Sequence, residues 1–149
     1  MEMRRVMRRL VVLGLLLSLM GHARYVNAVS PRQLVGVVDF SAPLVSPDGE
    51  LVAFRVEQAS IERNTYDSAW YVQDINGLAP PLRVADGGVP LRGFGGSSLP
   101  ADVVWSMDSR WIYYRALLEG RVEIWRASAD GSMTEAVTHD PADVRDFLP

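Results

Sequence analysis

Cysteine and lysine are both absent from this chain of 149 residues. Without cysteine there can be no disulfide bond and no metal site with thiolate ligands. All fifteen basic residues are arginine, and the only two histidines are His22 and His139. Any hypothesis of catalysis or metal binding therefore has few side chains to draw on.

Motifs of catalysis and nucleotide binding are also missing. The chain has no G-x-S-x-G nucleophile elbow, no H-E-x-x-H zinc motif and no P-loop. Residues 74–77 (DING) lack the later ligands of a calcium loop. A serine–histidine–aspartate triad can assemble in space from distant positions, but without an elbow or an oxyanion-hole motif we interpret His139 as a polar residue at a strand end. We predict no catalytic, cofactor-binding or metal-ligating residue and no cofactor.

The first 28 residues have the pattern of a secretory signal peptide. A positive N-terminal region precedes an apolar run of eleven residues at 10–20, and the small residues Val26 and Ala28 predict cleavage after Ala28. The positive region consists of Arg4, Arg5, Arg8 and Arg9. The alternative is an uncleaved membrane anchor, but eleven residues span little of a hydrocarbon core of about 30 Å. We predict export to a bacterial periplasm without a stable membrane anchor.

The predicted mature chain, residues 29–149, is acidic. It carries ten arginines against seventeen aspartates and glutamates, a net charge of −7. Nucleic-acid binding is dominated by contacts from cations to phosphates. The charge balance therefore argues against a nucleic-acid partner.

A turn and strand at residues 46–55 (SPDGELVAFR) organise the rest of the chain. The Pro-Asp-Gly run predicts a tight turn, because proline presets φ, aspartate bonds its own backbone and glycine tolerates positive φ. In the strand that follows, Val52, Phe54 and Val56 form a wholly apolar period-2 set. We predict that these three side chains face the core.

Residues 106–115 (SMDSRWIYYR) repeat this pattern. Each copy continues with an aromatic strand that ends in a hairpin turn, at Asn-Gly in the first copy and Asp-Gly in the second. A third strand candidate follows each turn. Two imperfect copies, at about residues 40–88 and 101–140, are typical of consecutive β-propeller blades. The alternative is a small β-sandwich in which the repeat is coincidental.

Two segments are predicted as loops. Residues 57–68 are polar and charged without a period, which indicates an extended, exposed loop that either carries binding groups or is merely solvated. Residues 87–100 contain five glycines, which indicates a flexible connection. The aromatic residues at strand positions are interpreted as packing between blades rather than a ligand site. They are Trp70, Tyr71, Trp105, Trp111, Tyr113, Tyr114 and Trp125.

Residues 43–49 and the apolar strand after them resemble the repeat of TolB-type propellers and of the N-terminal propeller in prolyl oligopeptidase-family enzymes. The runs at 54–57, 61–72 and 83–88 are similar to the start of the lasso peptide isopeptidases, exported members of that family. Residues 40–88 carry most of this resemblance. The implied fold is an all-β, incomplete β-propeller of about two antiparallel blades after a cleaved signal peptide.

The resemblance implies a periplasmic serine isopeptidase. In that family a C-terminal α/β-hydrolase domain opens the isopeptide bond that closes the lasso ring, and the propeller helps to enclose the peptide substrate. The family's serine, aspartate and histidine belong to the hydrolase domain, so none is carried over and we expect this chain to be inactive alone. The alternative is a non-catalytic TolB-like binding module, completed by self-association through open blade edges.

Overall fold

The computed structural model describes residues 29–145 and residue 147. The predicted signal peptide, with His22, lies outside the described residues. Within them, no helix is both long and apolar enough to cross a membrane. The elements are α1 (Pro31–Val35), β1 (Val38–Val45), β2 (Leu51–Ser60), β3 (Thr65–Asp74), β4 (Leu82–Asp86), β5 (Val103–Trp105), β6 (Trp111–Leu118), β7 (Arg121–Ser128) and β8 (Thr134–Ala136).

The strands form two four-stranded sheets whose strands lie in chain order. The first sheet has the order β1-β2-β3-β4 and the second β5-β6-β7-β8. Every neighbouring pair is antiparallel. Short turns can join neighbouring antiparallel strands, which explains why turn signals recur so often in the sequence. The prediction of an all-β fold is confirmed.

The turn before the long second strand has the same hydrogen bonds in both sheets. In the first sheet, the Ser46 hydroxyl accepts from the Leu51 N–H at 2.9 Å and donates to the Asp48 carboxylate at 2.6 Å. Ser106 and Asp108 repeat this arrangement in the second sheet. These bonds satisfy the backbone where the chain reverses direction, so the Ser-x-Asp pattern sets the start of both strands.

The hydrophobic core lies between the two sheets. Trp70 of β3 meets Tyr114 of β6 with ring centroids 5.6 Å apart and an angle of 47° between the rings. Hydrogen bonds also cross the interface, from the Trp105 indole N–H to the Leu44 carbonyl at 3.0 Å and from the Thr134 hydroxyl to the Val84 carbonyl at 3.2 Å. The buried cluster contains Ala53, Trp70, Val72, Val84, Ala85, Trp105, Ile112, Tyr114, Ala116 and Ala127.

The predicted inward face of β2 is wrong for the described part of the chain. Ala53, 0% exposed, and Arg55, 8% exposed, point toward the second sheet. Val52, Phe54 and Val56 are only partly buried and lie on the opposite face of the strand. The second sheet shows the reason. Its residues at the matching positions are buried against the first sheet, whereas no described sheet covers the face of β2 that carries Val52, Phe54 and Val56. Those matching residues are Ile112, Tyr114 and Ala116.

We call the uncovered side of the first sheet the aromatic face. It carries a row of rings across three strands, in which Phe40 and Phe54 have centroids 6.0 Å apart and Phe54 and Tyr71 have centroids 5.9 Å apart. Phe40 remains 66% exposed. The face also includes Val52 and Val56. An antiparallel sheet ordinarily turns its polar face to water and packs its apolar face against another layer. We therefore expect the aromatic face to be covered.

The predicted loop at residues 57–68 is also wrong. β2 and β3 remain paired to Ser60 and Thr65, which leaves a turn of only residues 61–64, with Asn64 at φ 48°. This part of the hairpin extends past the core. Its side chains therefore do not alternate between apolar and polar, and the period that identifies a strand is absent.

Candidate functional site

The two ends of the sheets carry different connections. One end has four connections of similar length, at residues 46–50, 75–81, 106–110 and 129–133. The other end, which we call the loop end, carries the tip of the β2–β3 hairpin, the long β4–β5 connection and the β6–β7 turn. Binding groups concentrate on loops that a rigid scaffold positions, so the loop end is the candidate site.

A buried charge cluster lies beneath the loop end. The Arg55 Nε donates to the Ser68 hydroxyl at 2.9 Å, and Arg55 Nη1 lies 3.3 Å from the Glu57 carboxylate. The other Glu57 oxygen accepts from Arg92 Nη2 at 3.0 Å. One carboxylate thus holds two guanidinium groups, and it ties the β4–β5 connection to β2.

Burial and neighbouring charges act on Arg55 in opposite directions. Burial lowers the pKa of Arg55, the Glu57 carboxylate raises it, and the nearby Arg92 cation lowers it again. An arginine starts so far above neutral pH that it stays charged after such a shift. Arg55 therefore does not act as an acid or a base. Its role in the cluster is to form ion pairs that hold β2 and the β4–β5 connection together.

The β4–β5 connection is fastened at several points. The Arg92 guanidinium lies 4.7 Å from the centre of the Tyr66 ring, a cation–π contact. The Val89 N–H donates to the Leu117 carbonyl of β6 at 3.0 Å, and the Leu99 N–H donates to the Leu91 carbonyl at 2.9 Å. The segment is a loop, as predicted, but ion pairs and hydrogen bonds bind it to both sheets.

Two glycines allow the chain to leave β4 at the loop end. A Cβ at Gly87 would lie 2.1 Å from the Ser68 hydroxyl, and one at Gly88 would lie 2.5 Å from the Leu117 carbonyl. Gly88 also has φ of 71°. Only glycine permits this close approach together with a positive φ, so Gly-Gly fixes where the connection crosses from the first sheet to the second.

Two clefts flank the projecting hairpin. The first, of about 530 Å³, runs beside the outer side of β3, and the second, of about 430 Å³, lies between the hairpin tip, the end of α1 and the β4–β5 connection. Both volumes lie in the range of roughly 300–1,000 Å³ that ligand sites occupy. Thr65, Tyr66 and Val89 line both clefts.

Of the two histidines considered from the sequence, only His139 lies among the described residues. His139 is exposed and follows β8, beside Asp140. Among residues 29–145, no cluster of histidine, aspartate and glutamate could hold a metal ion. The chemistry available at the loop end is therefore ion pairing, hydrogen bonding and apolar contact.

Sequence reasoning missed the buried charge cluster. The available signal was the recurrence of arginine at the same strand position in both copies, Arg55 and Arg115. The Arg115 side chain is also largely buried and lies 3.2 Å from Asp102. A charge repeated inside an apolar strand pattern indicates a buried, paired arginine, because an unpaired buried charge is too costly to keep.

Comparison with known proteins identifies one curated relative. No protein-family model matches the chain. The lasso peptide isopeptidase AtxE2 of Asticcacaulis excentricus is 31% identical over 144 residues, which cover 83% of this chain and 21% of AtxE2. The chain thus spans about a fifth of the length of this relative.

Solved structures of the same relative agree with the sequence comparison. Apo AtxE2 and an AtxE2 variant with Astexin3-dC4 bound each match with a TM-score of 0.72 and 28% identity. Each match covers 79% of this chain and 21% of the AtxE2 chain. The resemblance drawn from residues 40–88 is confirmed, and the chain is a homologue of the N-terminal region of the lasso peptide isopeptidase AtxE2.

Proposed function

We propose that this chain is the N-terminal β-propeller part of an exported serine isopeptidase that opens the isopeptide-closed ring of lasso peptides. The observation that carries the proposal is the homology to AtxE2 in both sequence and structure. In this proposal the catalytic serine, aspartate and histidine lie in an α/β-hydrolase domain outside this chain. The propeller helps to enclose the peptide.

The aromatic face supports a propeller over a two-sheet sandwich. In a sandwich the outer faces of both sheets meet water and carry polar side chains. Here the outer face of the first sheet carries Phe40, Phe54 and Tyr71. The matching face of the second sheet is buried against the first, so a further sheet of the same kind is the expected cover for the aromatic face.

The pattern of residues 1–28 supports export. In this proposal the signal peptide is removed after Ala28 and the enzyme acts in the periplasm, where it meets its peptide substrate. The loop end is the side that faces the peptide, since it carries clefts of about 530 and 430 Å³ on either side of the projecting hairpin.

Ring opening is the direct test of the proposed function. The gene is sequenced beyond the codon for Pro149, and the protein that contains this chain together with the encoded hydrolase is incubated with a threaded lasso peptide. Isopeptide hydrolysis adds one water to the peptide, which mass spectrometry detects. We expect opening by that protein and none by the 149-residue chain alone. A protein that cleaves linear peptides but leaves the lasso ring closed would overturn the proposal.

The exposed aromatic face also favours a second candidate, a binding module completed by self-association. In that case a second copy would cover Phe40 and Phe54. Light scattering of the purified chain distinguishes the two proposals. A discrete oligomer that dissociates on Phe40→Ser supports the binding module, whereas a monomer supports a chain whose face is covered by the rest of an enzyme.

A further inference from the structure

The β2–β3 hairpin extends farther than the fourth strand beside it. β3 pairs with β4 only as far as Ala69, and the Gly87 N–H then donates to the Ser68 carbonyl at 2.8 Å. Beyond that bond, no strand within residues 29–145 pairs with the side of β3 that faces away from β2, because the chain turns away toward β6. Since the Ser68 carbonyl points outward, the alternation of an antiparallel ladder places the N–H and C=O of Tyr66 on the same outward side.

The cleft of about 530 Å³ runs along this open edge. Its charged side chains largely neutralise one another, because Arg63 pairs with Asp67 and Arg83 Nη2 lies 3.9 Å from Asp86. The apolar lining comes from both sheets. Apart from the exposed Glu119, the principal polar feature of the cleft is therefore the main chain of β3, which suits a ligand that carries a peptide backbone.

The second sheet shows what a protected edge looks like in this fold. Its β6–β7 hairpin ends at the pair Leu118–Arg121. The chain after β8 then returns along β7, where the Val137 N–H donates to the Ile124 carbonyl at 2.7 Å and the Val144 N–H donates to the Val122 carbonyl at 3.0 Å. Proteins normally cover or blunt sheet edges because open edges pair with other chains. Within residues 29–145, the first sheet has no such cover beyond the Gly87–Ser68 hydrogen bond.

Tyr66 is also held in place from its side-chain end. Its ring lies under the Arg92 guanidinium, which the Glu57 carboxylate binds in turn. The edge is thus presented by a braced hairpin and not by a free loop, which lowers the cost of ordering it when a ligand binds.

We propose that this open edge binds an extended segment of the peptide substrate, which pairs with the main chain of Tyr66 as an added strand. The inference rests on the proposed function and states where on this chain the peptide is held. Main-chain pairing supplies affinity with little dependence on the peptide sequence. Alternate peptide side chains then point toward Asp67 and Arg83 on one side and toward Leu118 on the other.

Hydrogen exchange with mass spectrometry tests the inference, with Astexin3-dC4 as the probe and the 149-residue chain as the protein. We expect amide exchange at residues 65–67 to slow by about tenfold or more when the probe is bound. The β7–β8 connection at the opposite end of the sheets, residues 129–133, serves as the internal control and should not change.

Variants at Tyr66 separate main-chain from side-chain contacts. Tyr66→Pro removes the outward N–H and should weaken binding by about tenfold or more. Tyr66→Ala keeps that N–H and should bind closer to the unaltered chain. Because a proline can also disturb the hairpin, probes with single backbone N-methyl groups provide an independent measurement. Methylation at alternate residues should abolish binding, whereas methylation at the residues between them should not.

The outcomes distinguish this inference from the proposed function. Protection at residues 65–67 with an alternating N-methyl pattern supports it. Binding of Astexin3-dC4 without protection there, or no binding to this chain, overturns it. Neither result decides the proposed function, which the ring-opening assay tests separately.

Discussion

The two sheets arise from matching sequences but bury different faces. In the second sheet, Tyr114 is 0% exposed because the first sheet packs against it. The matching residue of the first sheet, Phe54, is only partly buried among the rings of the aromatic face. An apolar period therefore shows that a face of a sheet is to be covered, while the neighbour that covers it depends on where that sheet lies in the fold.

The charged residues of the two sheets differ in the same way. Arg55 and Arg115 occupy matching positions, and each has a carboxylate within salt-bridge distance. The partner of Arg55 is the buried Glu57, which a second arginine also contacts. The partner of Arg115 is Asp102, whose side chain is 44% exposed. The ion pair of Arg55 is therefore largely shielded from water, whereas the ion pair of Arg115 includes an exposed carboxylate.

The largest expected difference lies between Tyr114→Ala and Phe54→Ala. Removing a fully buried ring leaves a cavity, so Tyr114→Ala should lower the free energy of unfolding by about 3–5 kcal/mol. Phe54→Ala removes a ring that is only partly buried and should lower it by about 1 kcal/mol. Urea unfolding of both variants measures the difference. Equal losses would contradict the difference in burial between the two rings and show that the aromatic face is covered in solution.

The ion pairs should give the next largest difference. Glu57→Gln leaves the buried Arg55 without its carboxylate and should lower the free energy of unfolding by about 3 kcal/mol. Asp102→Asn alters a pair with an exposed partner and should lower it by less than about 1 kcal/mol. Both are measured by urea unfolding at neutral pH. An equal or larger loss for Asp102→Asn would contradict the conclusion that the better shielded ion pair is that of the first sheet.

A smaller effect is expected from the two cation–π contacts. Arg92 lies over Tyr66, and Arg126 lies 4.5 Å from the centre of the Trp111 ring. Each alanine variant should lower the stability only slightly. Only Arg92→Ala should also speed amide exchange across residues 89–99, because that arginine fastens the β4–β5 connection. Faster exchange there in Arg126→Ala would show that the connection does not depend on Arg92.

The smallest effect concerns pH and the repeated turns. Hydrogen bonding from Ser46 lowers the pKa of Asp48, and Ser106 does the same for Asp108. Because the folded pKa lies below the unfolded value of about 3.9, each turn contributes stability that is present above that value and is lost as the pH falls through the folded pKa. NMR titration of Ser46→Ala should show a higher Asp48 pKa and an unchanged Asp108 pKa. A shift of both, or of neither, would contradict independent turns.

The β7–β8 turn has the same kind of hydrogen bonds and provides a third carboxylate for the titration. Hydrogen bonds from Ser128 and Ser132 lower the pKa of Asp130 to about 2. Its contribution to stability should therefore persist to lower pH than those of the other two turns. Titration of the same sample reports all three carboxylates at once.

The loop end was predicted only in part. The Gly-rich run identified the connection at residues 87–100, and the unusual insertion at residues 57–68 marked the place where the hairpin projects. The sequence could not reveal that Arg92 bridges Glu57 and Tyr66. That contact joins residues 35 positions apart, and no local period records it.

The sequence alone determined the all-β class, the Ser-x-Asp turns, the hairpin turns and the relationship to lasso peptide isopeptidases. Each depends on neighbouring residues or on a motif that one short stretch carries. The tertiary structure alone decided that Ala53 and Arg55 face the second sheet and that the hairpin remains paired to Ser60 and Thr65. It also decided that β4 stops pairing with β3 at Ala69, before it reaches Tyr66. These properties depend on which surfaces meet, and the period of a strand does not specify which of its two faces its own chain will cover.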